Sequence, residues 1–127
     1  MSKTLAQIRA QAYEAQSGRC YYCNLPMFLE SVLQFAVSHR VSVGLALKLS
    51  CTAEHLVAKC EGGTDDASNI AAACYFCNTK RHARQVPLRV NEHRHLVRNR
   101  LNEGRWHARE VLAVAELVKL SARKQYR

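Results

Sequence analysis

Apolar positions recur at helical spacing near the start of the chain. Leu5, Ile8, Ala12 and Ala15 share one face of a helix predicted over residues 4–16, and Gly18 is placed to end it. A tight Cys20-Tyr21-Tyr22-Cys23 turn follows. A second helix is predicted over 28–38, with Phe28, Val32, Phe35 and Ala36 on one face. Ser42 is placed to cap a short third helix over 43–49, although Val41 and Val43 favour strand. The period then changes. Residues 50–57 (SCTAEHLV) read as a strand, 58–68 as a loop built on Gly62-Gly63 and Thr64–Ser68, and 69–72 as a second short strand. From Asn78 the pattern is helical until Pro87, which suits the first turn of a helix over 88–101 that Gly104 ends. A last helix over 106–120 places Val111, Leu112, Ala115 and Val118 on one face. The order α-α-α-β-β-α-α-α describes an α+β, mostly helical domain, with a central ββα segment between N- and C-terminal helices.

At 127 residues the chain is expected to form one domain. Its parts are a helical stretch 1–50, a core 51–86 and C-terminal helices 87–127. A hydrophobic content of 48% excludes wholesale disorder. The apolar runs Val32–Val37 and Val41–Leu47 are too short to cross a bilayer. Met1–Ala10 has neither an apolar block nor a cleavage site of signal-peptide type, so a cytoplasmic, reducing location is expected.

The net charge of +9 is unevenly placed. Residues 1–78 hold six Lys/Arg and six Asp/Glu, whereas residues 79–127 hold thirteen Lys/Arg and four Asp/Glu, and so the whole excess. A neutral half joined to a basic half points to a polyanionic partner, nucleic acid first, because basic side chains displace its condensed counterions. A membrane surface fits less well, since the few aromatic residues are not gathered on one apolar helical face.

In a reducing compartment, closely spaced cysteines are metal ligands more often than disulfides. Cys20-x-x-Cys23 and Cys74-x-x-Cys77 each bring two thiolates to one side of a tetrahedral ion, and together they complete a four-cysteine structural zinc site. Such an ion would pin the N-terminal part to the 74–80 turn and staple a small core. A thioredoxin-like redox pair would need a βαβ unit, which the pattern lacks. Cys51 and Cys60 read as two small buried hydrophobes.

Between the pairs lie Cys51-Thr52-Ala53-Glu54-His55-Leu56-Val57, Gly62-Gly63, Asn69-Ile70, and Cys74-Tyr75-Phe76-Cys77-Asn78-Thr79-Lys80-Arg81. This stretch resembles the HNH nuclease family, whose pattern is an acid–His pair, a Gly-Gly turn, an Asn, then CxxC followed by Asn or His and a basic residue. With the first CxxC the resemblance covers about half the chain. It implies a ββα-metal fold and a metal-dependent DNA endonuclease leaving 5′-phosphate and 3′-hydroxyl ends. His55 would be the general base, a role its imidazole suits at neutral pH. Glu54 and Asn78 would hold a catalytic divalent ion, Mg²⁺ or Mn²⁺. Asn69 would tie the loop to the hairpin and orient His55. Adjacent strand residues diverge, so Glu54 and His55 serve one site only if the strand twists or ends there. Two departures stand out: the acid is Glu54 where Asp is commoner, and Asn78 rather than His follows Cys77, which leaves His82 in reserve as a ligand.

Lys80, Arg81 and Arg84 would lie near the ion and hold flanking phosphates, with Arg94 and Arg98 sharing a face of the next helix. Trp106 is read as a core anchor rather than a base-stacking platform. The expected partner is DNA, with no membrane, and the chain acts as a monomer or a homodimer; Val111–Leu120 is either a dimer face or core. The alternative function is a catalytically inactive, zinc-stabilised nucleic-acid-binding module.

Overall fold

The computed structural model describes residues 2–114. Helix α1 (Leu5–Ala15) is opened by a capping box: the Thr4 hydroxyl accepts from the Gln7 amide, and the Gln7 side chain accepts from the Thr4 amide. Ser17 and Gly18, both at positive φ, turn the chain away after it. Helices α2 (Val32–His39) and α3 (Val43–Leu47) are capped by Ser31 and by Ser42. Strands β1 (Cys51–His55) and β2 (Ile70–Cys74) pair antiparallel, with Cys51 opposite Cys74 and His55 opposite Ile70. Helix α4 (Tyr75–His82) leaves β2 directly, α5 (Val90–Asn102) follows, and a further helix occupies 109–114. A small hairpin among helices is thus the observed architecture, as the pattern predicts.

The hairpin is the centre of the molecule. Every residue of β2 is buried, which explains its run of alanines: α1 packs closely on it, and larger side chains would hold the helix away. The free edge of β2 is closed by Gln16, whose amide both donates to and accepts from the Ala72 backbone at 2.8 and 2.9 Å. The Tyr21 amide adds a further bond to the Ala72 carbonyl. One core runs from Cys20 and Tyr22 through Phe35, Ala46 and Leu49 to Val97 and Val111.

Several predicted boundaries move, each for a local reason. The second helix begins at Val32, not 28, because Phe28 runs extended beside Ser50 and its carbonyl accepts from the Cys51 amide. The helix expected from Asn78 begins at Tyr75, because the Cys74 sulfur caps it by accepting from the Cys77 amide. Helix α5 begins at Val90, where Glu92 reaches back to the Arg89 amide. The last helix starts at 109, since Trp106 and His107 turn inward ahead of it. Val111 and Val114 are core; Ala115, Val118 and the predicted stretch to 120 lie outside the described residues. Among those described, no helix is long and apolar enough to cross a membrane.

Candidate functional site

The four cysteines of the two CxxC pairs come together. Their sulfurs all lie within 4.8 Å of one another, and all four residues are buried. Cys23 Sγ and Cys74 Sγ are 3.9 Å apart, against about 3.8 Å for the edge of a tetrahedron with metal–sulfur bonds of 2.3 Å. The surrounding donors suit thiolates. The Tyr22 and Cys74 amides donate to Cys20 Sγ at 3.4 and 3.3 Å, and the Trp106 indole N–H donates to Cys77 Sγ at 3.2 Å. Four soft donors at this spacing, with N–H groups turned toward them, fit a structural zinc ion.

Beside this cluster, the end of β1 and the outer face of α4 enclose a cleft of about 270 Å³ lined by Ala53, Glu54, His55, Ala58, Lys59, Cys60, Asn78 and His82. Glu54 and His55 share it because His55 is the last residue of the strand. Glu54 is fully buried and its two oxygens are held from three sides: the Tyr22 hydroxyl donates at 2.9 Å, His82 Nε2 at 2.8 Å, and Arg81 lies 3.3 Å away as an ion pair. Burial, and then the Glu54 charge, push the Tyr22 hydroxyl far above its usual range, which keeps it a donor. Asn78 is anchored by its amide nitrogen, which donates to Thr52 Oγ1 at 2.9 Å and to the Ala53 carbonyl at 3.4 Å. That leaves its side-chain oxygen as the remaining donor atom for a cation.

His55 Nε2 donates to Asp65 Oδ1 at 2.7 Å, and Lys59 Nζ lies 3.5 Å from the same oxygen. The His55 bond, with Lys59 behind it, holds the exposed Asp65 carboxyl below its usual range. Asn69 spans the loop: its oxygen accepts from the Val57 amide at 2.8 Å, and its nitrogen donates to the carbonyls of Val57 and Thr64 at 3.1 and 2.8 Å. The doublet Gly62-Gly63 makes this loop feasible. Gly62 has φ +88°, and a Cβ on Gly63 would stand 1.7 Å from the Val57 carbonyl oxygen.

A family model, described as HNH endonuclease, matches residues 20–84, just over half of the chain. The chain belongs to the HNH endonuclease family. No curated protein and no solved structure matches it.

Within this HNH frame, the structure brings Glu54, His55, Asn78 and His82 to one cleft and places Asn69 at its loop. Asn69 bonds Val57 rather than His55 itself; the side chain on His55 is Asp65. The basic residues divide. Lys80 and Arg84 are exposed, as are Arg94, which lies over the Tyr21 ring at 4.8 Å, and Arg98, whose Nε donates to the Tyr22 carbonyl at 2.7 Å. Arg81 is the correction. It is 2% exposed, and its guanidinium bonds the carbonyls of His55, Leu56 and Leu88 besides pairing with Glu54. It cannot reach a phosphate; it holds the cleft together. Cys51 is buried, its thiol pushed up to about 11 mainly by burial, but Cys60 is exposed on the rim of the cleft rather than buried as expected. The residues missed by the sequence reading are Tyr22, inside the first CxxC, and Asp65. Each is joined to its partner only by the fold.

Proposed function

We propose that this chain is a metal-dependent DNA endonuclease. The observation that carries the reading is the single cleft in which a carboxylate (Glu54), two imidazoles (His55, His82) and a carboxamide (Asn78) converge beside the four-cysteine cluster. The cysteines would hold zinc as a structural ion. Glu54 and Asn78 would hold the catalytic divalent ion, with His82 as a third ligand. The hydrogen bond between His82 Nε2 and Glu54 Oε1, 2.8 Å apart, occupies a position suited to a cation. That spacing is close to the roughly 3.0 Å between neighbouring ligands of an octahedral ion with bonds of about 2.1 Å. Oxygen donors with one imidazole favour Mn²⁺ or a later transition ion as well as Mg²⁺. When bound, such an ion neutralises the phosphate and stabilises the leaving oxygen.

The chain's own residues supply the rest. Asp65 accepts the proton of His55 Nε2, so Nδ1 is the nitrogen left to take a proton from water. The water oxygen bonds to phosphorus, the bond from phosphorus to the 3′ oxygen breaks, that oxygen takes a proton from solvent water to become the 3′-hydroxyl, and the proton held by His55 is released to solvent. Lys59, on the cleft rim, is placed to offset the added negative charge.

One observation favours a second reading, a binding module without cleavage: both oxygens of Glu54 are already bonded inside the protein. A labelled DNA duplex incubated across a series of divalent ions separates the two. The endonuclease reading expects ion-dependent cutting that Glu54→Gln and His82→Ala shift to higher ion concentration. Salt-dependent binding with no cutting under any ion, at full zinc occupancy, would establish the module instead.

A further inference from the structure

Helix α4 has two working faces. Asn78 and His82 line the cleft. Lys80 stands two positions after Asn78, about 200° around the helix, and with Arg84, two residues past the end of α4, it lines a different groove, of about 240 Å³. Its other walls come from α5 and the turn after it: Arg100, Arg105 and Trp106, with His93 at the base. Four cations from three segments converge there, and among the described residues no carboxylate lines the groove. The neighbouring acid, Glu103, pairs with Arg105.

The groove is also firmly built. His93 is buried, and its Nε2 donates to the Cys77 carbonyl at 3.0 Å. The Trp106 indole is half-buried and tied to Cys77 Sγ at 3.2 Å, with its ring edge-on to Phe76 and to His93. Lys80 lies over the Phe76 ring at 5.4 Å. The cationic rim is therefore set directly on the cysteine cluster, and a fixed aromatic ring stands among charges suited to phosphate.

A helix with its side chains is about 10–12 Å across. A strand lying in the cleft on one side of α4 does not also fill the groove on the other. A duplex presents two backbones. We infer that the Lys80–Arg84–Arg100–Arg105 groove binds backbone phosphates of the strand opposite the one cut, so that α4 stands between the two strands of a duplex. This rests on the endonuclease reading of the cleft.

The test uses the full chain carrying His55→Ala, so that nothing is cut during binding. Affinity for a short DNA duplex and for one of its strands alone is measured over a salt series, with and without Arg84→Ala/Arg100→Ala. A Lys3→Ala/Arg40→Ala variant controls for loss of charge alone. The groove variant should weaken duplex binding roughly tenfold or more and lower the salt slope by about 2, with single-strand binding changed less than about twofold. Equal losses on both substrates, or a loss matched by the control, would overturn the inference, as would no loss at all. The two readings fail separately. If the chain with His55 intact grips duplex through this groove yet cuts nothing, the endonuclease reading fails alone. If it cuts duplex and the groove variant binds and cuts unchanged, the groove reading fails alone.

Discussion

Glu54 takes its three donors from two separate parts of the chain: Tyr22 in the first cysteine turn, and Arg81 and His82 at the end of α4. A carboxylate with no exposure is tolerated only with such partners, because an unpaired buried charge is costly. Arg81→Ala should therefore lower stability by about 3–5 kcal/mol, read as a lower urea midpoint. A variant within about 1 kcal/mol of the parent would show that Arg81 is not the counter-charge described. Tyr22→Phe removes one neutral donor and should cost less, about 1–2 kcal/mol in the same measurement. These partners mark the limit of the sequence reading at this scale. Glu54, His55, Asn69 and Asn78 were legible because their spacing follows a family pattern. Arg81 read as a surface cation because its charge is local information, whereas the carbonyls of His55, Leu56 and Leu88 that absorb it are brought by the fold. Asp65 was invisible for the same reason: nothing in its loop sequence indicates that it lands on His55.

At the level of elements, the three-helix entry, the cap at Ser42 and the stop at Gly18 were legible because each depends on residues within a few positions, and the hairpin because the period changes on either side of a Gly-Gly loop. Of the starts that moved, that of the second helix was decided by a longer-range partner, Ser50 beside Phe28, whereas α4 starts early because the Cys74 sulfur, rather than Asn78, caps it. The loop between the strands shows how an element sets the site. Gly63 lets the chain pass the Val57 carbonyl, and Asn69 then fastens Val57, two residues past His55. Gly63→Ala forces a backbone clash that no side-chain rotation relieves. It should lower the urea midpoint by an amount worth about 2 kcal/mol or more. An unchanged midpoint would mean that the 56–69 loop does not hold the conformation described.

Across the molecule, the cysteine cluster joins the turn after α1 to the β2–α4 junction, and the core packs around it. Removing zinc with a chelator should therefore unfold the domain or sharply lower its melting temperature, and re-adding zinc should restore it. Acid should act as well. His107 is buried, with both ring nitrogens unpartnered among the described residues, and its pKa is pushed down from 6.5 to about 4, chiefly by burial, with Cys20 opposing and Lys48 adding to the shift. The unfolded chain binds a proton at this residue as the pH falls through about 6.5, while the folded chain does not until about 4. Stability should thus decline across that window, by about 3 kcal/mol from this residue. His107→Phe should remove that part of the decline at constant zinc; an identical pH profile for the variant would contradict the buried, neutral imidazole. Among the described residues of the basic half, legible as a charge bias, Arg81 lies inside the fold, Arg94 and Arg98 lie near the first cysteine turn, and Lys80, Arg84, Arg100 and Arg105 line the groove around Trp106.

Water activation by His55 for phosphodiester cleavage, in the cleft it shares with Glu54 and Asn78, is the step on which the proposed function turns. It is tested most directly by incubating supercoiled plasmid with the zinc-loaded protein and Mg²⁺ or Mn²⁺, beside His55→Ala at matched zinc content and fold. Ion-dependent conversion to nicked circles is expected, slowed roughly 10²–10⁴-fold in the variant. Equal nicking by both proteins, or none by either under any divalent ion, would contradict it.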